Sequence, residues 1–208
     1  MNLANRLTLL RLALVPVFMI FTILDHFWTR FFALWIFITA SLTDLIDGYV
    51  ARKYGEITEF GKLMDPLADK FLISAAFISF VGMRELQVPS WMVVLIIGRE
   101  LIVTGLRLLA AAKGEVLSAD MSGKLKTSVQ LTAVTTIMVI LCVNSFLRHF
   151  YHLNPRELLR HSGWEYGAGI LLFRAPFWLV FASMLITLYS GTQVLYKNRG
   201  IYAKEIGL

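Results

Sequence analysis

The amino-acid sequence predicts an all-α protein that crosses a lipid bilayer six times and has both termini in the cytoplasm. Of its 208 residues, 57% are hydrophobic and 16% are charged, and the mean hydropathy is +0.67. Soluble domains carry about 25% charged residues. A soluble core of this chain length could not bury so much apolar side chain, whereas a bilayer can. The composition therefore predicts one integral membrane domain over residues 1–208.

Six apolar stretches are long enough to cross a hydrocarbon core of ~30 Å, which takes roughly 20 helical residues. They cover residues 7–25, 31–51, 66–84, 90–112, 126–146 and 173–196. Pro16 is expected to kink the first of them. The short loops carry more Lys and Arg on one side than on the other, and such a side usually faces the cytoplasm. The sequence therefore predicts a multi-pass protein of the inner or plasma membrane.

The connection over residues 147–172 is longer than the others. Asn154 and Pro155 are typical of a helix cap followed by the first helical residue, which predicts a short surface helix there. The same loop holds three histidines, His149, His152 and His161. We interpret it as an interfacial loop without chemistry in preference to a metal site.

The formal net charge of +6 does not indicate a nucleic-acid partner in this chain. Basic residues flank the predicted spans, where they contact anionic lipid headgroups. The single cysteine, Cys142, lies inside an apolar run. Neither a disulfide framework nor a thiolate metal site is therefore expected.

Four carboxylates are concentrated around the ends of the second and third predicted spans. Asp44 and Asp47 are three residues apart, and Asp65 and Asp69 are four apart, so each pair shares one helical face. A short polar connection between the spans, at residues 52–61, makes the two helices antiparallel neighbours. Four converging carboxylates repel one another unless cations neutralise them. Hard oxygen ligands favour Mg²⁺, Mn²⁺ or Ca²⁺.

Eight positions form one pattern, Asp44-x2-Asp47-Gly48-x2-Ala51-Arg52-x8-Gly61-x3-Asp65-x3-Asp69. This pattern resembles the signature of the CDP-alcohol phosphotransferase family. The resemblance implies a six-helix membrane fold that displaces CMP from a CDP-linked lipid or alcohol with the help of two Mg²⁺ or Mn²⁺ ions. It also implies that Asp44, Asp47 and Asp65 are metal ligands and that Asp69 is both a ligand and the catalytic base.

The same resemblance implies a binding site for the CDP-linked donor. Its residues would be Asn5, Thr8, Asp47, Gly48, Ala51, Arg52 and Gly61. Other interpretations of these residues stay open. Gly48 and Ala51 also suit close helix packing in a membrane. Arg52 suits a charged anchor at the membrane edge, and Asn5 and Thr8 suit helix caps.

Further segments narrow the resemblance to the phosphatidylglycerophosphate synthase branch of that family. They are Asn2–Arg11, Met64–Lys70, Gly98–Arg107 and Gly123–Thr127, and they extend over the first two-thirds of the chain. Residues 145–175 contain no segment that carries this resemblance. The branch implies CDP-diacylglycerol as donor, glycerol 3-phosphate as acceptor, phosphatidylglycerol phosphate and CMP as products, and a homodimer.

Four cationic side chains are candidates for binding the acceptor phosphate, namely Arg99, Arg107, Lys124 and Lys126. Lys and Arg clusters bind phosphate dianions well. The two lysines are explained equally well as basic residues that flank a span on its cytoplasmic side. Arg107 has its own alternative, a buried ion pair with Glu100 seven residues earlier.

Rival functions remain at this stage. Within the family, a cardiolipin synthase or an enzyme with serine or an inositol phosphate as acceptor would share the donor site. A divalent-cation transporter also needs carboxylates in the membrane, although here they cluster near one membrane face. A catalytically inactive lipid-binding scaffold is disfavoured because every aspartate of the pattern is present. Release of CMP separates the enzymes from the other classes.

Overall fold

A computed structural model describes residues 3–54, 59–112, 121–159 and 163–199 of the chain. Within these ranges the side chains of residues 44–69, and a few at other helix ends, lie outside the description. Every regular element in the described part is a helix. The predicted all-α class is therefore confirmed.

The described chain forms six long helices and one short one. Their bounds are α1 Leu3–Ile23, α2 Phe27–Tyr54, α3 Glu59–Val81, α4 Ser90–Ala112, α5 Met121–Tyr151, α6 Pro155–Leu158 and α7 Trp164–Lys197. Each long helix overlaps one of the six predicted apolar stretches. The short helix α6 is also where the sequence predicts it, with Asn154 at the cap in an extended conformation and Pro155 as its first residue.

The predicted extent of the loop at 147–172 is wrong. Helix α5 continues to Tyr151 and α7 already begins at Trp164, so the connection is much shorter. The reason is a tertiary contact of α7 with α6. Gly169 is buried against α6, and a Cβ atom at this position would lie 3.1 Å from the backbone of Leu158. Packing on α6 thus stabilises the first turns of α7, which apolar run length does not reveal.

The helices pack as a bundle around an apolar core. Helix α1 contacts α2 and α3, while α5 contacts α2 and α7, and α4 lies against α7. Buried aromatic rings fill the centre, with Phe18 and Phe37 5.8 Å apart between α1 and α2. Small buried residues such as Ala33 and Ala76 allow close approach of neighbouring helix backbones.

Large apolar side chains also cover the outside of the bundle. Ile20 of α1, Val94 and Leu101 of α4 and Trp178 of α7 are each more than half exposed. Among the described residues, two helical segments are long and apolar enough to cross a membrane by length and composition, Leu125–Tyr151 and Trp164–Lys197. An apolar outer surface of this extent needs a covering of lipid or protein.

Candidate functional site

The four signature aspartates lie on two helices that contact each other. Asp44 and Asp47 belong to the second half of α2, and Asp65 and Asp69 belong to the first half of α3. Their side chains lie outside the described residues, so their convergence stays a prediction. We call this end of the bundle the aspartate end, and the end that contains the α1–α2 connection the far end.

The predicted donor-binding residues lie on the same helices as the aspartates or on α1. Asn5 and Thr8 are on α1, Gly48, Ala51 and Arg52 are on α2, and Gly61 is on α3. The side chains of these residues also fall outside the described part of the structure. Helix α1 contacts both α2 and α3, so the backbone brings all three carrying helices together.

Lys70, which follows Asp69 in the chain, is the first described side chain of α3. Its ammonium group donates a hydrogen bond to Thr104 Oγ1 on α4. The Thr104 hydroxyl in turn donates to the backbone oxygen of Glu100, 2.7 Å away. The residue after the predicted base is therefore anchored to a neighbouring helix, an arrangement the sequence did not predict.

Glu100 brings together two of the predicted phosphate-binding cations. It is buried on α4 and forms an ion pair with Lys126 of α5. Arg99 Nη1 lies 3.5 Å from the same carboxylate oxygen. These residues, with Lys70 and Thr104, are called the Glu100 cluster below. The cluster contains three cationic side chains and one described carboxylate, so it favours an anionic ligand.

Helix α7 closes the other side of the Glu100 cluster. Arg99 Nη2 donates to Ser190 Oγ at 3.0 Å, and Gln130 Nε2 donates to Thr187 Oγ1 at 3.0 Å. The Arg99 side chain lies directly on Gly191, where a Cβ atom would be 2.7 Å from its Nε. A serine–glycine pair inside an apolar helix was the sequence signal for this contact.

Of the other two predicted phosphate-binding residues, Arg107 lies outside this contact network. Arg107 is exposed, and its guanidinium forms no hydrogen bond or ion pair with another residue of the described ranges. The alternative of an Arg107–Glu100 ion pair is therefore not observed there, since Glu100 pairs with Lys126 and Arg99. Lys124 belongs to α5, and its side chain is outside the description.

Two cavities meet at Lys70. A small one of about 40 Å³ has a mixed lining that includes the polar residues Lys70, Glu100, Lys126 and Gln130. A larger groove of about 290 Å³ runs between α1, α3 and α4, and its lining is apolar apart from Lys70, Ser74 and Thr104. An amphipathic ligand could place a hydrocarbon chain in the groove and a charged group beside the Glu100 cluster.

Within the described residues, no group of three or more His, Cys, Asp or Glu side chains could hold a metal ion. The side chains of the four signature aspartates lie outside these residues. Their donor chemistry, four carboxylates on two helices that contact each other, suits hard divalent cations. Glu100 is not a candidate metal ligand, because its carboxylate already pairs with Lys126 and Arg99.

Comparison with known proteins links this arrangement to one family. Residues 1–189 match the family described as CDP-alcohol phosphatidyltransferase. A protein of Bacillus subtilis named CDP-diacylglycerol–glycerol-3-phosphate 3-phosphatidyltransferase is 46% identical over 150 residues, which are 66% of this chain and 77% of that protein. A relative of the same name in Rickettsia prowazekii is 35% identical over 138 residues, 66% of this chain and 75% of the relative.

A relative from Mycobacterium tuberculosis is named probable phosphatidylglycerophosphate synthase. It is 49% identical over 136 residues, which are 64% of this chain and 64% of the relative. The chain thus spans slightly less than two thirds of that protein's length. The predicted resemblance to the family is confirmed.

Proposed function

Because the chain belongs to the CDP-alcohol phosphatidyltransferase family, we propose that it transfers the phosphatidyl group of CDP-diacylglycerol to sn-glycerol 3-phosphate. The products are phosphatidylglycerol phosphate and CMP, and the step belongs to phospholipid biosynthesis. One observation carries this proposal, namely the 46% identity over 150 residues to the Bacillus subtilis relative named for that reaction. The charges of the Glu100 cluster support it, because the acceptor carries a phosphate dianion.

In the proposed site, Asp44, Asp47, Asp65 and Asp69 hold two divalent cations, Mg²⁺ or Mn²⁺. When bound, these ions neutralise charge on the pyrophosphate of the donor. Asp69 takes the proton from the 1-hydroxyl of glycerol 3-phosphate, whose oxygen then attacks the phosphorus that carries diacylglycerol. A carboxylate within hydrogen-bond reach of the hydroxyl can act as this general base. CMP leaves, and the proton stays on Asp69 until solvent removes it.

The acceptor phosphate is proposed to bind Arg99 and Lys126, which Glu100 already holds together. Lys124 and Arg107 complete the proposed set from the edge of the site. Glu100 compensates the buried ammonium of Lys126 when no acceptor is bound, which lowers the cost of keeping that charge inside the bundle. The network therefore keeps cations in place before the substrate arrives.

The donor is proposed to place an acyl chain in the apolar groove between α1, α3 and α4. Lys70 and Thr104 lie at the polar limit of this groove, and Asp69 is the chain neighbour of Lys70. The CDP group would then lie over the aspartate end, against Asn5, Thr8, Gly48, Ala51, Arg52 and Gly61. Small residues at two of these positions leave room for a ligand close to the α2 backbone.

The proposed setting is a cell membrane crossed by the six long helices. The shortest of them has 21 residues, which at about 1.5 Å per residue matches a hydrocarbon core of ~30 Å. The large exposed apolar side chains support a lipid covering. The aspartate end is proposed to face the cytoplasm at the inner membrane, and the protein is proposed to act as a homodimer.

The test is an assay of purified protein in detergent with Mg²⁺ or Mn²⁺ and labelled CDP-diacylglycerol. Glycerol 3-phosphate, phosphatidylglycerol, serine and an inositol phosphate are offered in parallel. We expect CMP release and phosphatidylglycerol phosphate with the first acceptor alone, and loss of both after chelation of the metal. Turnover with phosphatidylglycerol would identify a cardiolipin synthase instead. Absence of CMP release with every acceptor would refute an enzymatic role.

A further inference from the structure

A polar cavity lies at the far end of the bundle. It has a volume of about 550 Å³, which is within the usual range for small-molecule sites. Four arginines line it, Arg30, Arg84, Arg148 and Arg156, together with the carboxylates Asp25, Glu85 and Glu157. The lining therefore carries a formal excess of one positive charge. We call this cavity the far-end pocket.

The inner wall of the far-end pocket is neutralised by its own ion pairs. Arg30 is buried and pairs with Glu85 and, at 3.3 Å, with Asp25. Arg148 Nη2 bridges the same two carboxylates at 2.8 Å and 2.7 Å. Arg30 also donates to Ser145 Oγ at 2.8 Å. This wall, formed by Asp25, Arg30, Glu85 and Arg148, is called the Arg30 cluster.

The outer wall carries the uncompensated positive charge. Arg84 and Arg156 form no ion pair with a carboxylate of the described ranges. Arg156 Nη2 donates to the backbone oxygen of Arg84 at 3.2 Å, and its guanidinium carbon lies 5.1 Å from the centre of the Phe173 ring. These contacts hold the Arg156 guanidinium in place while leaving other N–H donors available to a ligand.

Buried polar atoms beside this pocket lack a hydrogen-bond partner among the described residues. They are Asn144 Oδ1 and the Nε atoms of Arg30 and Arg148, and all three residues line the pocket. Asn144 is only 3% exposed. A buried polar atom without a partner is costly. A group with both acceptor oxygens and hydroxyls would satisfy these atoms.

The position of the pocket places it at the membrane surface opposite the aspartates. The rise of an α-helix separates Arg30 from Asp44 by about 21 Å along α2, and Lys126 from Arg148 by about 33 Å along α5. The longer of these two lengths matches the ~30 Å thickness of a hydrocarbon core, and the shorter one covers about two thirds of it. Three exposed tryptophans, Trp28, Trp91 and Trp164, begin helices at the same end. Tryptophan is enriched at the membrane–water interface.

We propose that the far-end pocket binds the phosphate group of an anionic phospholipid from the leaflet opposite the aspartate end. Arg84 and Arg156 contact the phosphate, and a headgroup hydroxyl bonds the Asn144 amide. A bound headgroup would thereby link the α3–α4 connection to α6. The assignment rests on the membrane placement proposed above and does not depend on the transfer reaction.

The test uses the full chain, purified in detergent and stripped of lipid. Native mass spectrometry counts the lipids retained after addition of dioleoyl phosphatidylglycerol or dioleoyl phosphatidylcholine, and a parallel titration uses inorganic phosphate. Arg84→Gln/Arg156→Gln removes both outer-wall charges. Arg174→Gln is the matched control, because Arg174 is exposed beside Phe173 but does not line the pocket. Arg84→Gln alone serves as a second, milder variant.

We expect one saturable phosphatidylglycerol site that the double variant weakens at least about tenfold. The single variant should weaken it less, and Arg174→Gln should leave it unchanged. Equal retention of phosphatidylglycerol by wild type and double variant would overturn the proposal, as would equal retention of phosphatidylcholine. Arginine-dependent binding of inorganic phosphate without such lipid binding would identify a free-anion site instead. CMP release, measured separately, reports on the reaction and on folding.

Discussion

The two polar clusters of the bundle use the same kinds of side chain with different charge balance. In the Glu100 cluster, a single carboxylate serves Arg99 and Lys126. In the Arg30 cluster, two carboxylates each bridge two arginines. The first arrangement leaves positive charge for an anionic substrate beside the aspartates. The second is balanced, and it fastens the ends of α2 and α5 to the connections after α1 and α3.

Because their charge balance differs, we expect the two clusters to have different roles, one in stability and the other in anion binding. Removing one partner of a balanced buried pair leaves the other charge buried without compensation, which is costly. Substitutions in the Arg30 cluster should therefore lower the stability of the fold. Removing a cation from a positively charged cluster should instead weaken anion binding. Substitutions in the two clusters should therefore separate stability from activity.

The largest difference in activity between variants of the two ends is expected from a substitution at the aspartate end. Asp69→Asn should lower the rate of CMP release by about 10²–10⁴, because the amide cannot accept the proton of the acceptor. The matched control is Asp25→Asn, which changes an exposed aspartate of the Arg30 cluster. If Asp69→Asn and Asp25→Asn lowered the rate of CMP release equally, the two ends of the bundle would not be functionally separate.

The next largest effect should appear at the far end. Arg30→Met should lower the free energy of unfolding by about 3–5 kcal/mol, because it breaks a buried pair and leaves its carboxylates with one arginine. Thermal unfolding in detergent measures the change, with the exposed Arg84→Met as control. CMP release per folded molecule should stay at the wild-type level, and a selective loss of turnover would place Arg30 in the reaction.

A smaller effect is expected at Lys126. Lys126→Met should raise the KM for glycerol 3-phosphate by roughly 10–100-fold, because one charge-assisted hydrogen bond to the phosphate is lost. The KM for CDP-diacylglycerol should change little. Lys197→Met, at the exposed end of α7, is the control, and Arg107→Met tests whether the exposed arginine contributes. If the KM for glycerol 3-phosphate were unchanged in Lys126→Met, the Glu100 cluster would not be part of the acceptor site.

The smallest effect should come from the glycine beneath Arg99. Gly191→Ala would place a Cβ atom 2.7 Å from Arg99 Nε, so the flexible arginine side chain must shift. We expect a few-fold rise in the acceptor KM, roughly 1 kcal/mol or less. Gly167→Ala on the same helix has open space around its Cβ position and should behave like wild type. Identical kinetics in the two variants would show that the position of Arg99 does not matter.

Much of the fold could be predicted from the sequence. The helical class, the approximate position of each long helix and the short helix at Pro155 all followed from apolar run length and cap chemistry. The start of α7 could not be predicted in this way. It depends on Gly169 packing against α6, a contact that links residues through space and has no periodic signal.

The candidate site, like the fold, has features that could be predicted from the sequence and features that could not. Spacing predicted the four aspartates as metal ligands because each pair lies within one helix, where residues three or four apart share a face. Arg99 and Lys126 became phosphate-binding candidates because they are basic residues in segments that carry the family resemblance. Spacing did not reveal that Glu100 joins them, and it offered Arg107 as the partner of Glu100 instead. The partner was Lys126, on another helix.

The sequence by itself thus determined the helical class and the family signature, and it predicted the membrane setting and the metal ligands, because these follow from local periodicity and fixed spacing. Only the tertiary structure decided which charges meet. A hydrogen bond joins residues as distant as Arg30 and Ser145, and the far-end pocket is formed by five separate stretches of the chain. Such contacts are set by how helices pack, since buried charges must find partners across the bundle wherever packing brings them together.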